Sequence, residues 1–496
     1  MSNCNFKNNY AAQGNNVYWQ WTVNDFLNKY NQINDYDYVW IYNGVGTPNN
    51  TIVLTKKGIT ISSEGNVTFD AKGKNLHFEV TGDNVLIEKI TFRNFNFTEG
   101  DGGAIEWNGT HGILKNCKFI NNAARDGGGV IWFGANGNLS NTIFTNNLAN
   151  QWGGGVFWSL NAPNGVISGC IFTNNTSNDN GGGLYLSSPN GIVFDCTFTN
   201  NTSSNEGAGI YWSSINGKLN NSTFINNIAK NRGGGVHWNG ANGTLTNCNF
   251  IGNRANSGAG IRWNGANGTL TNCKFTNNYG GDNGGGVGWF GLDGVLTDST
   301  FTNNIANSSG GVRWQAANGY LIGCTFINNT ARNNGAGGGI GWFDTAANGT
   351  LKDCTFINNT ARYGAGISWY GSNGIVSTSI FMNNEATLNG GGILWGGANS
   401  TLISSTFTNN IASGVGGAIV WDNTGSMINC NFNNRKWNKS NGIYINKLLN
   451  IEGGKGIVDM VVNHGELLGI SIVVLNNETY YYPPNTNINF HVKIYW

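Results

Sequence analysis

Apolar residues return along this chain at two periods at once. Over short stretches they alternate with other residues, as in Val236-His237-Trp238 and Cys248-Asn249-Phe250, and the whole pattern then returns about 25 residues later. The clearest copies are Gly233 to Phe250, GGGVHWNGANGTLTNCNF, and Gly258 to Phe275, GAGIRWNGANGTLTNCKF. The short alternation predicts strands with one buried face. The long period predicts stacked units, each burying its apolar face only against its neighbours. The repeat Trp runs from Trp107 to Trp421 and the repeat Phe from Phe119 to Phe432, mostly at steps of 25 or 26, with Leu186 once in place of Trp and a 30-residue step into Phe356.

Parity within a unit assigns the faces. In Val236-His237-Trp238 the outer two residues recur from copy to copy, whereas the middle one runs through Glu106, Ile131, Phe157, Tyr185, Tyr211, His237, Arg262 and Arg313. Successive side chains of a strand point to opposite faces, so the varied residue is expected in solvent and Trp in the core. By the same parity Cys248, Phe250 and the residue two further on, usually Asn, share an inward face, with Leu245 across a bend. Each coil is then expected to hold about three short strands, broken at the Asn-Gly pair, the Asn-Asn pair and the Gly triplet, where residues tolerating positive φ belong. Parallel crossovers are right-handed almost without exception. The fold class expected is all-β, a right-handed parallel β-helix of about 25 residues per coil with one short N-terminal helix as a cap.

The repeat places four segments. Residues 1–20 form an orphan repeat fragment in which Cys4, Phe6, Asn8, Asn9 and Ala11 match the later C-x-F-x-N-N-x-A, as though a longer protein had been cut there. Residues 21–101 are an opening cap: Thr22 can cap a helix that brings Val23, Phe26, Leu27, Tyr30 and Ile33 to one side, and strands follow at 38–42, 51–55, 58–62, 67–70, 76–80 and 85–92. Residues 102–434 are the repeats. Residues 435–496 still read as strands and turns without the Trp-to-Phe period, a C-terminal β-rich cap or the start of a following domain.

Composition narrows the function. Charged residues are only 11% of the chain while Gly numbers 76, which fits many strands and tight turns and excludes a coiled coil. A net charge of +1 without a basic run offers a phosphate backbone no attraction, so nucleic acid is set aside as a partner. The longest apolar stretch near the C-terminus, Leu467 to Leu475, is too short for a membrane-spanning helix. The N-terminus lacks the pattern of a signal peptide, so export relies on something outside this chain or the chain is a fragment. The nine cysteines each stand two residues before a repeat-type Phe, in a slot that other copies fill with Thr142, Ser222, Ser299, Ser379 or Ser405. That slot asks for a small side chain, and buried free thiols are expected rather than bridges or a zinc site.

No catalytic, cofactor-binding or metal-binding residue stands out. The acids, among them Asp101, Asp126, Asp179, Glu206 and Asp282, read as turn formers beside glycine, and no pair is expected to share a slot on neighbouring coils. The histidines at 77, 111, 237, 464 and 491 lack ligand spacing. The expected ligand contact is instead the outward file Phe157, Tyr185, Tyr211, His237 and Arg262, since exposed aromatics in a row mark contact surfaces.

The tetrapeptides Gly102-Gly103-Ala104-Ile105 and Phe119-Ile120-Asn121-Asn122, repeated as GG(A/G)(I/V) and FxxN, resemble the repeats of chlamydial polymorphic membrane proteins. The Asn-rich, Trp-bearing version is similar to adhesin-like surface proteins of methanogenic archaea. The resemblance implies a right-handed β-helix displayed at a cell surface or extracellularly and used in adhesion. The chlamydial type is exported through its own C-terminal β-barrel, which the residues after 434 are too few to form. The function expected is a non-enzymatic, adhesin-like contact with glycans, host or neighbouring cells, with no cofactor. The alternatives are a β-helix polysaccharide lyase or glycoside hydrolase, and a purely structural surface spacer.

Overall fold

Four corners, not three, bend each coil. In the coil that begins at Val130 the strands are Val130–Trp132, Asn138–Ser140, Ile143–Thr145 and Leu148–Ala149. Between them Asn136, Asn141 and Asn146 take φ of 57°, 48° and 55°, and Gly153 closes the coil at 68°. The expected three breaks miss the corner just before the Cys slot, where Asn141, or Asn116 and Asn247 in other copies, adopts the left-handed conformation that Asn tolerates. The structure is a computed structural model that describes residues 17–433 apart from 334 and 344, and 442–446, 449–452, 455–462, 467–468, 472–475, 478–481 and 492–495. Residues 4–11 of the orphan repeat, and His464 and His491, lie outside the described residues.

Two compact units divide at Gly240 and Ala241. In the first, every strand class pairs in parallel and in register with its own class on the next coil: Val130–Trp132 with Val156–Trp158, Asn138–Ser140 with Val166–Ser168, Ile143–Thr145 with Ile171–Thr173, and Leu148–Ala149 with Thr176–Ser177. The second repeats the arrangement, as in Ile261–Trp263 with Val287–Trp289 and Lys274–Thr276 with Thr300–Thr302. Both units are therefore parallel β-solenoids.

Registered stacking puts each side chain over its own kind. Trp132 and Trp158 stack with centroids 4.6 Å apart and planes nearly parallel in the first unit, Trp263 and Trp289 4.9 Å apart in the second, and all are fully buried. Phe144 and Phe172, or Phe275 and Phe301, form the second file at 4.9 and 4.7 Å. Offset ring stacking adds ~0.5–1.5 kcal/mol per pair to the burial itself. The eight described cysteines are buried free thiols, and burial pushes the Cys117 thiol up to about 12.

The inward polar rung is the second Asn of the Asn-Asn pair, not the first as parity alone predicts. The first sits in the left-handed corner, which reverses the alternation and turns the next residue inward. In the first unit Asn175 donates its backbone N–H and its Nδ2 to Asn201 Oδ1, each at 3.0 Å, and Asn201 does the same to Asn227 at 3.0 and 2.9 Å. Asn201 Nδ2 also reaches the Phe172 carbonyl at 2.9 Å. The buried Asn201 amide is thus satisfied from both neighbouring coils.

The expected helix is Val23–Lys29, with a capping box in which Asp25 N–H donates to Thr22 Oγ1 and Thr22 N–H returns to Asp25 Oδ2, each at 3.1 Å. Phe26 packs 5.4 Å from Phe69 and Val23 against Gly46, where an added Cβ would stand 2.4 Å from a Val23 methyl. Three further strands appear, Tyr18–Trp21, Gly44–Gly46 and Asn96–Phe97, pairing in parallel with Tyr38–Ile41, Val67–Phe69 and Ala123–Ala124. After the repeats, Lys455–Val462 pairs antiparallel with Val492–Tyr495, and Ile472–Leu475 with Glu478–Tyr481, so the parallel register ends there.

Candidate functional site

The varied position of the Trp strand forms a file along the first unit, registered from Glu106 through Ile131, Phe157, Tyr185 and Tyr211 to His237. Phe157, Tyr185 and Tyr211 stack face to face, with centroids 5.0 and 4.9 Å apart and planes within 14° and 19°. His237 meets Tyr211 edge-on at 5.2 Å. The three aromatic rings are half-buried rather than fully exposed, and Ile131 and His237 are buried outright at 1% exposure. The expectation that His237 lies at the surface is therefore corrected. Its neighbours explain why: Tyr211 packs on one side, and the turn that precedes Gly207 brings Glu206 Oε2 to 2.9 Å from His237 Nδ1.

Parity cannot see this second row, because it comes from the turns before the Gly triplets. Asp101, Asp126, Trp152, Asn180, Glu206 and Arg232 each stand immediately before the first glycine. Trp152 stacks 6.0 Å from Phe157 and 5.5 Å from Tyr185, and its Nε1–H donates to Asp179 Oδ2 at 3.0 Å. Arg125 forks onto Asp101 at 2.9 and 2.7 Å, and Arg232 Nη1 reaches Glu206 Oε1 at 2.9 Å. Sequence reasoning passes over Trp152, although a Trp outside the repeat slot is itself a signal. It also misplaces the acids, since Gly102 N–H bonds the Asp126 carbonyl and so aligns Asp101 with Asp126 in one slot on neighbouring coils.

Burial and charge tune these groups in opposite directions. Burial pushes the Asp126 carboxyl up to about 6, with the Asp101 charge adding to it against the opposing hydrogen bond from Trp152 N–H. Burial acts on Glu206 as well, but the bond and charge of His237, with those of Arg232, prevail and hold it below its ordinary value. The Tyr211 phenol is pushed up to about 12 by burial, then by the Tyr185 and Glu206 charges, and burial also raises Tyr185. Tyr211 Oη accepts from Asn239 Nδ2 at 2.8 Å. The result is a ridge of ring edges, neutral phenols and carboxylates, able to exchange hydrogen bonds with a hydroxyl-rich ligand.

Arg262, the last residue of the expected file, belongs to the second unit. There it lies half-buried with its guanidinium 3.2 Å from the Phe290 ring centroid. Of the other histidines, His77 is buried with its Nε2 3.8 Å from Glu106, and burial lowers its pKa, while His111 is exposed at a left-handed corner. Among the described residues no three His, Cys, Asp or Glu side chains gather as a metal site, and no helix is long and apolar enough to cross a membrane.

Residues 209–381 match the model of the right handed beta helix region, and residues 169–187, 195–211 and 404–420 match the Chlamydia polymorphic membrane protein repeat. No curated protein matches the chain in sequence. Among solved structures the chain is similar to a PL6 family alginate lyase at 11% identity and TM-score 0.44, covering 89% of this chain and 71% of that one. It is also similar to the A-module of the mannuronan C-5 epimerase AlgE6 of Azotobacter vinelandii, at 12% identity and TM-score 0.35, over 69% of this chain and 90% of that one. A GH87 alpha-1,3-glucanase catalytic domain matches at 12% identity and TM-score 0.33, over 83% and 67%.

Proposed function

Starting from a right-handed parallel β-helix that carries chlamydial-type repeats, we propose that this protein is a non-enzymatic, adhesin-like contact protein of a cell surface that engages glycans on another cell. One observation carries the reading. The repeated residues of the first unit build ladders, and the residues that escape repetition, Trp152, Phe157, Tyr185 and Tyr211, converge on one ridge beside Asp126, Asp179 and Glu206. Stacking along the file occupies the ring faces, so the ligand meets ring edges and polar groups. Such a contact suits an extended, hydroxylated chain lying along the coils.

The test is a glycan array probed with the wild-type chain and with the Phe157→Ser, Tyr185→Ser, Tyr211→Ser variant. Loss of binding in the variant at an unchanged melting temperature supports the reading, and identical profiles remove the ridge as the contact.

One observation favours a second reading, a carbohydrate-active enzyme: Asp126, held near 6 beside Asp101, has the protonation range of a general acid or base. Release of reducing ends from a polysaccharide panel, abolished by Asp126→Asn, would establish it in place of the first.

A further inference from the structure

The outward file of the first unit carries a different chemistry ahead of its aromatic ridge. The registered residues there run Glu79, Glu106, Ile131, Phe157, so that two glutamates on neighbouring coils stand directly opposite each other. Like charges in that relation destabilise a sheet. Both residues are half-buried, and among the described residues nothing bonds or pairs with the Glu79 carboxylate. Cations on the adjoining turns are engaged elsewhere: Arg125 forks onto Asp101, and Lys74 Nζ reaches the Pro48 carbonyl at 3.1 Å.

A third group faces Glu106. His77 leaves its strand on the same side as Glu79, and its ring lies against Phe97 with centroids 4.3 Å apart. Gly100 permits that cover, since an added Cβ there would stand 2.2 Å from the Phe97 ring. The imidazole is buried, its Nδ1 has no hydrogen-bond partner among the described residues, and its Nε2 lies 3.8 Å from Glu106 Oε2, beyond hydrogen-bond reach. Burial lowers the His77 pKa against the opposing pull of the Glu106 charge, so the ring is neutral at pH 7. With its proton on Nδ1, a neutral imidazole presents Nε2 as an acceptor. Glu106 Oε1 takes the Asn108 amide at 2.9 Å and leaves Oε2 turned to the histidine. Two acceptors therefore face each other across a gap that one donor group with several N–H bonds can bridge, and a second carboxylate stands one coil away.

We infer that Glu79, Glu106 and His77 form a receptor for the ammonium group of an amino sugar. A primary ammonium carries a positive charge and three donors, which answer two carboxylates and a neutral imidazole. From Glu79 to Tyr211 the file climbs five coil steps, ~24 Å at strand spacing. An extended oligosaccharide lying on the ridge thus reaches the acidic end with its last sugars. The inference rests on the reading of the ridge as a glycan contact and names the sugar chemistry taken at one end of it.

The experiment titrates the full chain by calorimetry with deacetylated chitohexaose, N-acetylated chitohexaose, cellohexaose and hexalysine, at mildly acidic pH where sugar amines carry a proton and glutamates do not. The wild type should bind the deacetylated hexamer about tenfold more tightly than either neutral one. Glu79→Gln with Glu106→Gln should bring it down to the affinity of the neutral hexamers. Removing the opposed charges should leave the melting temperature equal or higher, so that lost binding is not lost folding. His77→Phe, which keeps a ring against Phe97, should weaken the deacetylated hexamer alone, by several-fold. Equal affinity for charged and neutral hexamers, a preference that survives in the double glutamine variant, or tighter binding of hexalysine than of the deacetylated hexamer overturns the inference while the glycan-contact reading stands. Absence of binding to all three hexasaccharides overturns both.

Discussion

Glu206 Oε2 lies 2.9 Å from His237 Nδ1, and both side chains join a ridge whose neighbours are aromatic. The pair holds Glu206 below its ordinary carboxylate value of 4.5 in the folded chain. A carboxylate with a depressed folded pKa stabilises the fold above its unfolded value, and that stabilisation is lost as pH falls through the folded one. Melting temperature should therefore drop more steeply below pH 4.5 in the wild type than in Glu206→Gln, with the two curves converging in acid. Parallel curves would show that the pair does not act as described.

Asp126 should behave in the opposite sense. Its folded pKa is raised from the ordinary 3.8 to about 6, so a destabilisation sets in as pH rises past the unfolded value, is complete once pH has passed about 6, and stays constant above that. Asp126→Asn, which keeps an acceptor for the Trp152 N–H, should raise stability at neutral pH by on the order of 1 kcal/mol after solvent screening. At pH 4 the variant and the wild type should be nearly equal. A stabilisation that persists unchanged in acid would place its cause elsewhere.

The Trp file dictates a neighbouring glycine. An added Cβ at Gly217 would stand 2.4 Å from the Trp212 ring, whereas at Gly191, which faces Leu186 instead of Trp, the closest atoms are a Leu186 methyl and the Ser188 carbonyl oxygen, both at 3.2 Å. Gly217→Ala should cost about 1–3 kcal/mol through overpacking, and Gly191→Ala should cost far less because the Leu side chain can shift. Adding Leu186→Trp to Gly191→Ala should restore the clash. Denaturant melts of the three variants check the order, and equal costs at the two glycines would contradict it.

The Asn file makes a graded prediction. Asn201 is fully buried and serves Asn175, Asn227 and the Phe172 carbonyl. Asn201→Ala strands several buried polar groups at ~1–3 kcal/mol each. Asn201→Asp keeps the acceptor but sets a charge against the Phe172 carbonyl and the Asn227 oxygen, and should be the more damaging at neutral pH. Chemical denaturation of both variants measures the order; a benign Asp would refute the assigned amide orientation.

The ladders of Trp, Phe and small residues were legible in the sequence because a registered stack forces like over like, and repetition is then visible as a period. The fourth corner was not, because Asn141 reads as an ordinary strand-end residue until its positive φ is known. The same corner geometry turned the second Asn of each pair inward against simple parity. His237 was misjudged for a different reason: alternation decides which face a side chain leaves from, not what a neighbouring turn lays over it. Glu206 and Tyr211 do so here. Trp152 and the acids of the turns were hidden because they stand outside the period, and a search for repetition discards such residues.

The unrepeated ridge of the first unit, and not the repeated coil, is proposed to meet the ligand. Hydroxyl-radical footprinting of the full chain with and without its best array glycan tests this directly. Protection should fall on Trp152, Phe157, Tyr185 and Tyr211. Unchanged oxidation at those four residues, with protection on another face such as exposed Ile228, would contradict it.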